Sequence, residues 1–222
     1  MIRQAFSPST FGGGRMAAHQ HDGHLGSVYD AKSPSEVATL YDRWSGTYDA
    51  EMAAAGYRHP SIGLALLTRH LPRGPGPVLD AGAGTGLVGD WLGIVGYPHV
   101  EALDISQGML DVAAAKGQYK ALHRLALGGP LPFADGYFAG VISTGVFTTG
   151  HVGAEALPEL VRITAMGGVL VLTVKMPVWD SGFAAAILAD SRVVVVEQTS
   201  PYVSMPGEAG TVPGLCVALR RV

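Results

Sequence analysis

Two aspartates and a set of alternating glycines are the residues best suited to chemistry. Asp80 closes the short apolar run Val78-Leu79, and Gly82, Gly84 and Gly86 follow it through Ala81, Ala83 and Thr85. Glycine at such spacing reaches backbone dihedrals closed to other residues and lets a ligand come close to the main chain. A strand, a glycine turn and a helix start form a nucleotide-binding corner. Two ligands compete for it. Gly84-Thr85-Gly86-Leu87-Val88-Gly89 satisfies the dinucleotide pattern G-x-G-x-x-G, with Asp104 about 20 residues further on. In that pattern, however, the first glycine follows the strand directly, and a diphosphate sits at the helix N-terminus. Here an acid stands at the strand end, where a diphosphate is repelled. An aspartate there suits a nucleoside that carries an ammonium group and no phosphate.

The elements that position these residues can be read in order. Residues 1–32 show no apolar periodicity and include Gly12-Gly13-Gly14, so a flexible arm is expected. Arg3 and Arg15, with no acid before Asp22, share one feature with organellar transit peptides, while Pro8 and the glycines oppose the amphipathic helix such a peptide needs. His19, His21 and His24 in this arm lack the further ligands of a coordination shell, and no metal site is expected. Ser33-Pro34-Ser35-Glu36 is a capping box with proline at the first helical position. Val37, Leu40, Tyr41, Trp44 and Tyr48 then recur at helical spacing, with a break at Ser45-Gly46. A second helix, Ser61 to His70, directs Ile62, Ala65 and Leu66 inward. The domain is therefore expected over residues 33–222, with a helical cap at 33–72 and the sheet-bearing core at 73–222.

Strands and helices alternate after Pro77. The helix Leu87 to Val95 places Leu87, Trp91, Leu92 and Val95 on one face. Val100 to Leu103 is a strand ending at Asp104. Ser106 caps a helix bearing Met109, Leu110 and Ala113, which stops at Gly117. Further strands are expected over Ala121–Leu127, Tyr137–Ser143, Val169–Val174, Val193–Gln198 and Leu215–Arg220. Helices are expected at Ala154–Thr164 and Ser181–Ala189. This pattern gives an α/β fold, a Rossmann-like doubly wound seven-stranded sheet. It is mostly parallel, and its last strand is antiparallel because the connection before it, Thr199–Gly214, holds no helix. In such a sheet ligands lie across the carboxyl ends of the strands. Asp80, Asp104, Leu127 and Ser143-Thr144-Gly145 all fall there.

Composition narrows the function. The 222 residues carry a net charge of −3, with 15% charged and 48% hydrophobic residues. There is no long basic run, which disfavours a nucleic-acid partner. The longest aliphatic runs are too short to span a bilayer, and no signal-peptide core is visible, so a cytoplasmic location and no membrane partner are expected. Cys216 is the one cysteine and reads as a small buried hydrophobe.

The run Val78 to Gly86 resembles the first motif of class I S-adenosylmethionine-dependent methyltransferases, an apolar strand, an acid and then G-x-G-x-G. Pro130-Leu131-Pro132-Phe133 and Leu157 to Arg162 before Gly167-Gly168 look like the usual flanks of that fold. Tyr41 to Asp49, Gly145 to His151 and Tyr202 to Gly207 look, more narrowly, like the small Williams–Beuren-region type of methyltransferase-like protein. The resemblance runs from Ser33 to the end of the chain. It implies S-adenosyl-L-methionine as cofactor and methyl transfer by in-line displacement. The acceptor expected first is a small molecule, with a protein side chain second.

The same resemblance assigns roles. Asp104 accepts from the ribose hydroxyls, Ile105 and Met109 pack on adenine, and Asp80 with the stretch Ala81 to Gly86 serves the methionine end. Tyr41, Trp44 and Tyr48 close over it from the N-terminal helices. The chain departs from the family where Ala126 replaces an acid that holds the adenine amino group and where Ala139 replaces an acid before the fourth strand. His151, after the fourth strand, is the candidate general base, ahead of Tyr48 and Tyr202. The loop Ser200–Pro213 is a candidate wall of the acceptor pocket. The competing functions are a cofactor-binding module without catalysis and a nicotinamide oxidoreductase. The latter is opposed by the absence of any Tyr-x-x-x-Lys pair.

Overall fold

A computed structural model describes residues 23–29, 31, 33–74 and 76–222. Its centre is a seven-stranded sheet in the order β3-β2-β1-β4-β5-β7-β6, formed by β1 (Val78–Ala81), β2 (Val100–Asp104), β3 (Ala121–Arg124), β4 (Phe138–Phe147), β5 (Thr164–Lys175), β6 (Val193–Gln198) and β7 (Gly214–Arg221). The first five strands pair in parallel. β7 enters antiparallel between β5 and β6, as the helix-free connection requires. All four residues of β1 are buried, the mark of a strand covered on both faces.

Alternation along the central strands sorts the core into two layers. Val78, Ile142, Val169, Val171, Cys216 and Ala218 face α4 (His59–His70) and α5 (Gly89–Ile94), where Leu66, Leu67 and Leu92 meet them. Leu79, Val141, Leu170, Leu172, Val217 and Leu219 face α7 (Leu157–Ile163) and α9 (Ala184–Ala189). The strand order reverses between β2 and β4 on either side of β1, so the carboxyl end of β1 is the switch point of the sheet.

Several sequence expectations are corrected. α5 begins at Gly89 because the glycine turn runs on to Val88. Val88 and Leu92 are therefore its inward pair, and Trp91 is 43% exposed. In α4 the inward residues are Gly63, Leu66 and Leu67, while Ala65 is exposed. β3 stops at Arg124, leaving Leu125 to Leu127 as loop, and β4 and β5 are both longer than their apolar runs. The helical segment expected at Ser181 starts at α8 (Met176–Val178) and passes through a π turn at Trp179–Phe183, where Gly182 has φ 136°. Most of the expected N-terminal arm, including Arg3, Arg15, His19 and His21, lies outside the described residues. Within that arm α1 (Gly23–Tyr29) is helical, and Val28 is buried with Trp44 and Met52. Among the described residues no helix is long and apolar enough to cross a membrane.

The cap is built from α2 (Pro34–Trp44) and α3 (Tyr48–Ala54), with the break at Ser45–Thr47 between them. The Ser33 side chain accepts from the Glu36 N–H at 3.2 Å, as the capping box requires. Asp42 fastens α2 to α6 (Gln107–Lys116). Its carboxylate accepts from the Ser106 hydroxyl at 2.6 Å and from the Gly108 N–H at 2.8 Å. Those two bonds hold the Asp42 carboxyl below its ordinary pKa. Ser106 in turn accepts from the Met109 N–H at 3.1 Å, so one carboxylate and one hydroxyl serve the N-terminus of α6 together. Gly108 lets the helices approach closely at this contact, since a Cβ there would stand a tight 3.0 Å from the Asp42 main chain. Asp49 adds an ion pair to Lys116 at 2.7 Å and accepts from the Thr85 hydroxyl. Asp42→Ala is expected to lower the unfolding free energy by about 1–2 kcal/mol, measured by denaturant melts at neutral pH.

Candidate functional site

The end of β1 turns back on β2. The Gly82 and Ala83 N–H groups both donate to the Leu103 carbonyl, at 2.7 and 3.0 Å, and this pair of hydrogen bonds sets the turn that Gly82 (φ 77°) and Gly84 (φ 54°) make. A Cβ on Gly82 would lie 2.1 Å from the Val146 side chain. Gly84 is different, because the space where its Cβ would stand is open, leaving main chain accessible to a ligand. Asp104 locks the loop. One carboxylate oxygen accepts from the Gly84 N–H and the other from the Ser106 N–H, both at 2.8 Å. Burial raises the Asp104 pKa, and those backbone bonds oppose the rise.

Asp80 lies behind this loop and is 1% exposed. One oxygen accepts from the Tyr119 hydroxyl at 2.7 Å, and the other, Oδ1, is buried without a partner among the described residues. Burial pushes its pKa up to about 7, with the Tyr119 bond opposing and Asp104 adding to the rise. Tyr119 also fills the space beside Gly86 and Gly89, where a Cβ would come within 2.9 Å and 2.5 Å of its ring.

Above the loop lies a cavity of about 380 Å³, lined by Gly82, Gly84, Asp104, Ile105, Met109, Leu125, Ala126, Leu127, Thr144 and Gly145, with Val37, Tyr41 and Tyr48 of the cap and His151 on its other wall. Its charged lining groups are Asp104 and Glu155, with no lysine or arginine among the described residues. His151 Nε2 lies 3.1 Å from the Tyr41 hydroxyl and Nδ1 3.4 Å from the Thr149 carbonyl. Burial lowers the imidazole pKa, with the Thr149 contact opposing. Tyr41 packs on Trp44 at 5.9 Å and, edge-on, on Tyr48 at 6.4 Å.

A second cavity of about 30 Å³ shares Tyr41, Tyr48 and Gly145 with the first. Lys175, at the carboxyl end of β5, lines it and is 7% exposed. Its Nζ donates to the Ser204 hydroxyl and the Val212 carbonyl, both at 2.8 Å, and burial lowers its pKa to about 8. His59 Nδ1 lies 2.7 Å from the Tyr202 hydroxyl. Burial, reinforced by Lys175, drops the His59 pKa to about 3.

Most of the expected site residues therefore meet at one place. Tyr41, Tyr48, Gly82, Gly84, Asp104, Ile105, Met109, Leu127, Thr144, Gly145 and His151 all line the larger cavity. Asp80, Ala81 and Gly86 are buried behind its wall. Trp44 is 1% exposed and donates its indole N–H to Glu51 at 2.8 Å, so it supports the cap instead of lining that cavity. Ser204 and Met205 of the Ser200–Pro213 loop border the smaller cavity. Tyr119, Lys175 and His59 went unnoticed in the sequence. For Lys175 the available signal was a cation ending a strand run that is apolar but for Thr173. Cys216 is fully buried, and burial pushes its thiol up to about 12, which leaves it unreactive.

The methyltransferase-domain family matches residues 79–172, from β1 into β5. Methyltransferase-like protein 27 of Homo sapiens is 39% identical over 139 residues, covering 61% of this chain and 56% of that protein. Demethylmenaquinone methyltransferase of Corynebacterium urealyticum is 33% identical over 144 residues, covering 64% of this chain and 60% of that enzyme. The chain thus spans less than two thirds of either relative. Among solved structures, a TehB-like S-adenosylmethionine-dependent methyltransferase from Corynebacterium glutamicum superposes with a TM-score of 0.57 at 18% identity, covering 83% of this chain and 100% of that one. At that identity the likeness speaks to the fold alone.

The buried Asp80 carboxyl has a linkage consequence. Its folded pKa of about 7 lies above the ordinary 3.8, so between pH 4 and pH 7 the native state holds a proton that the unfolded state releases. Stability falls as pH rises through that window. Asp80→Asn, which keeps an acceptor for Tyr119, removes this term. Relative to the variant, the wild-type protein is expected to lose up to about 4 kcal/mol from pH 4 to pH 7, measured as paired urea melts without ligand.

Proposed function

We propose that the chain is a class I S-adenosylmethionine-dependent methyltransferase, which binds S-adenosylmethionine in the larger cavity and passes the methyl group to a small-molecule acceptor. The observation that carries the reading is the charge of the wall. Among the described residues two carboxylates and no lysine or arginine line the cavity, and a third carboxyl, Asp80, stands behind its floor with an oxygen that no described group meets. That setting favours a ligand bearing ammonium and sulfonium charge and disfavours a dinucleotide's diphosphate.

When bound, the cofactor supplies a methyl group already activated by the sulfonium. The chain's task is alignment, which can contribute about 7–11 kcal/mol of the barrier. In this reading Asp104, pinned by two backbone N–H groups, turns its remaining lone pairs to the ribose hydroxyls. Gly84 exposes main chain to the methionine end. Asp80 favours the ammonium through the loop backbone. Ile105, Met109 and Leu125 to Leu127 form an apolar slot for adenine, whose amino group has no carboxylate to meet at Ala126. Tyr41 and Tyr48 cover the donor from the cap. His151 receives the acceptor's proton, because burial keeps its imidazole neutral at pH 7 and so able to accept. The relatives named demethylmenaquinone methyltransferase support a small acceptor.

Calorimetry with S-adenosylmethionine and with NAD(H) tests the cofactor. Heats from NAD(H) alone would overturn the reading. A metabolite extract with labelled methyl donor tests transfer, and cofactor binding with no labelled product would leave a binding module in place of an enzyme. Asp104→Ala is expected to weaken S-adenosylmethionine binding about tenfold or more, with Cys216→Ser unchanged. His151→Gln is expected to lower kcat about 100-fold while leaving cofactor affinity intact, as single-turnover assays would report.

A further inference from the structure

We propose that the niche around Lys175 binds an ionised oxygen group of the methyl acceptor, in particular a carboxylate. The inference rests on the larger cavity being the donor site and adds the chemistry of the molecule beside it. Lys175 ends β5, next to the β4 end whose Thr144 and Gly145 line the larger cavity. Its two partners, Ser204 and Val212, are neutral oxygens. Among the described residues it makes no ion pair with any carboxylate. An ammonium has three protons to donate, and only two are used. A buried cation without a counter-charge is costly, and an entering anion relieves that cost.

The surroundings allow no other charge to serve. Among the described residues the smaller cavity has no acid on its wall, and the other base there, His59, is kept neutral by burial and by Lys175 itself. At about 30 Å³ the niche has room for one or two water-sized groups, which suits the oxygens of a carboxylate and excludes a bulky head group. Gly145 (φ 82°) lines both cavities, and a Cβ there would lie 1.9 Å from the Tyr57 hydroxyl. The Gly145 N–H is turned away to the Thr173 hydroxyl at 2.8 Å. The two cavities thus have opposite polarity across a shared wall of Tyr41, Tyr48 and Gly145. Acids line the cavity that would hold a cationic donor, and a lysine lines the one that would hold the acceptor's anionic end.

The test uses the whole protein saturated with S-adenosylhomocysteine and two probes of matched shape, phenylacetate and phenylacetamide, titrated by calorimetry. The carboxylate is expected to bind about tenfold or more tighter than the amide. Lys175→Met is expected to bring the two within about threefold, with adenosylhomocysteine affinity unchanged. Equal affinity for both probes in the wild-type protein, binding of neither, or a preference that survives in Lys175→Met would overturn the proposal. If Lys175→Met does not fold, Lys175→Gln replaces it, and the wild-type comparison stands without any variant. Refusal of adenosylhomocysteine would count against the donor site alone, because the same titrations on cofactor-free protein still decide the anion site.

Discussion

The Asp104 carboxylate, held between the N–H groups of Gly84 and Ser106, is the contact on which the site depends. It fixes the glycine loop after β1 relative to the start of α6, and so sets the floor of the cavity. Its burial is unfavourable by itself, and two charge-assisted bonds offset much of that penalty. Each carboxylate oxygen has a further lone pair, and these remain the acceptor face of an otherwise apolar slot. A neighbour at Asp80 adds like charge behind the loop. The ligand-free site therefore holds negative charge in surroundings of low polarity, a state that a cationic, hydroxyl-bearing ligand relieves.

Around that contact the fold places two kinds of wall. The sheet supplies the rigid one, through the ends of β1, β2, β4 and β5 at the switch point. The cap supplies the other, through Tyr41 and Tyr48, whose rings pack on Trp44 in the cluster that also holds Val28 and Met52. Lys175 and His59 lie where the two walls meet the loop before β7. Burial of both bases in one small region is unfavourable for folding, and both border the smaller cavity.

The glycine loop, Asp104 and the capped start of α6 were legible in the sequence because their signals are local. Alternating glycines, an acid at a strand end and a Ser cap each imply a backbone geometry within a few residues. The reversed last strand was legible for the same reason, since the helix-free Thr199–Gly214 connection restricts the pairing. What escaped was tertiary. Trp91 fits an inward helical face only if the helix starts at Leu87, and the turn's extension to Val88 rotates it outward. Tyr119 sits 39 residues from the carboxylate it holds, and Lys175 reaches Ser204 and Val212 across the sheet edge. No spacing rule connects those positions. Trp44 fits the expected aromatic stripe of the cap, yet its indole is committed to Glu51, which no periodicity could reveal.

Asp49 has a mechanical consequence. It joins α3 to Thr85 inside the glycine loop and to Lys116 at the far end of α6, while Asp42 holds α2 at the near end of the same helix. The roof is thus hinged and bolted to the floor by side chains of a single short segment. Lifting it would break the hydrogen bond from Thr85 to Asp49, so displacement of the cap and relaxation of the glycine turn beneath it are mechanically coupled.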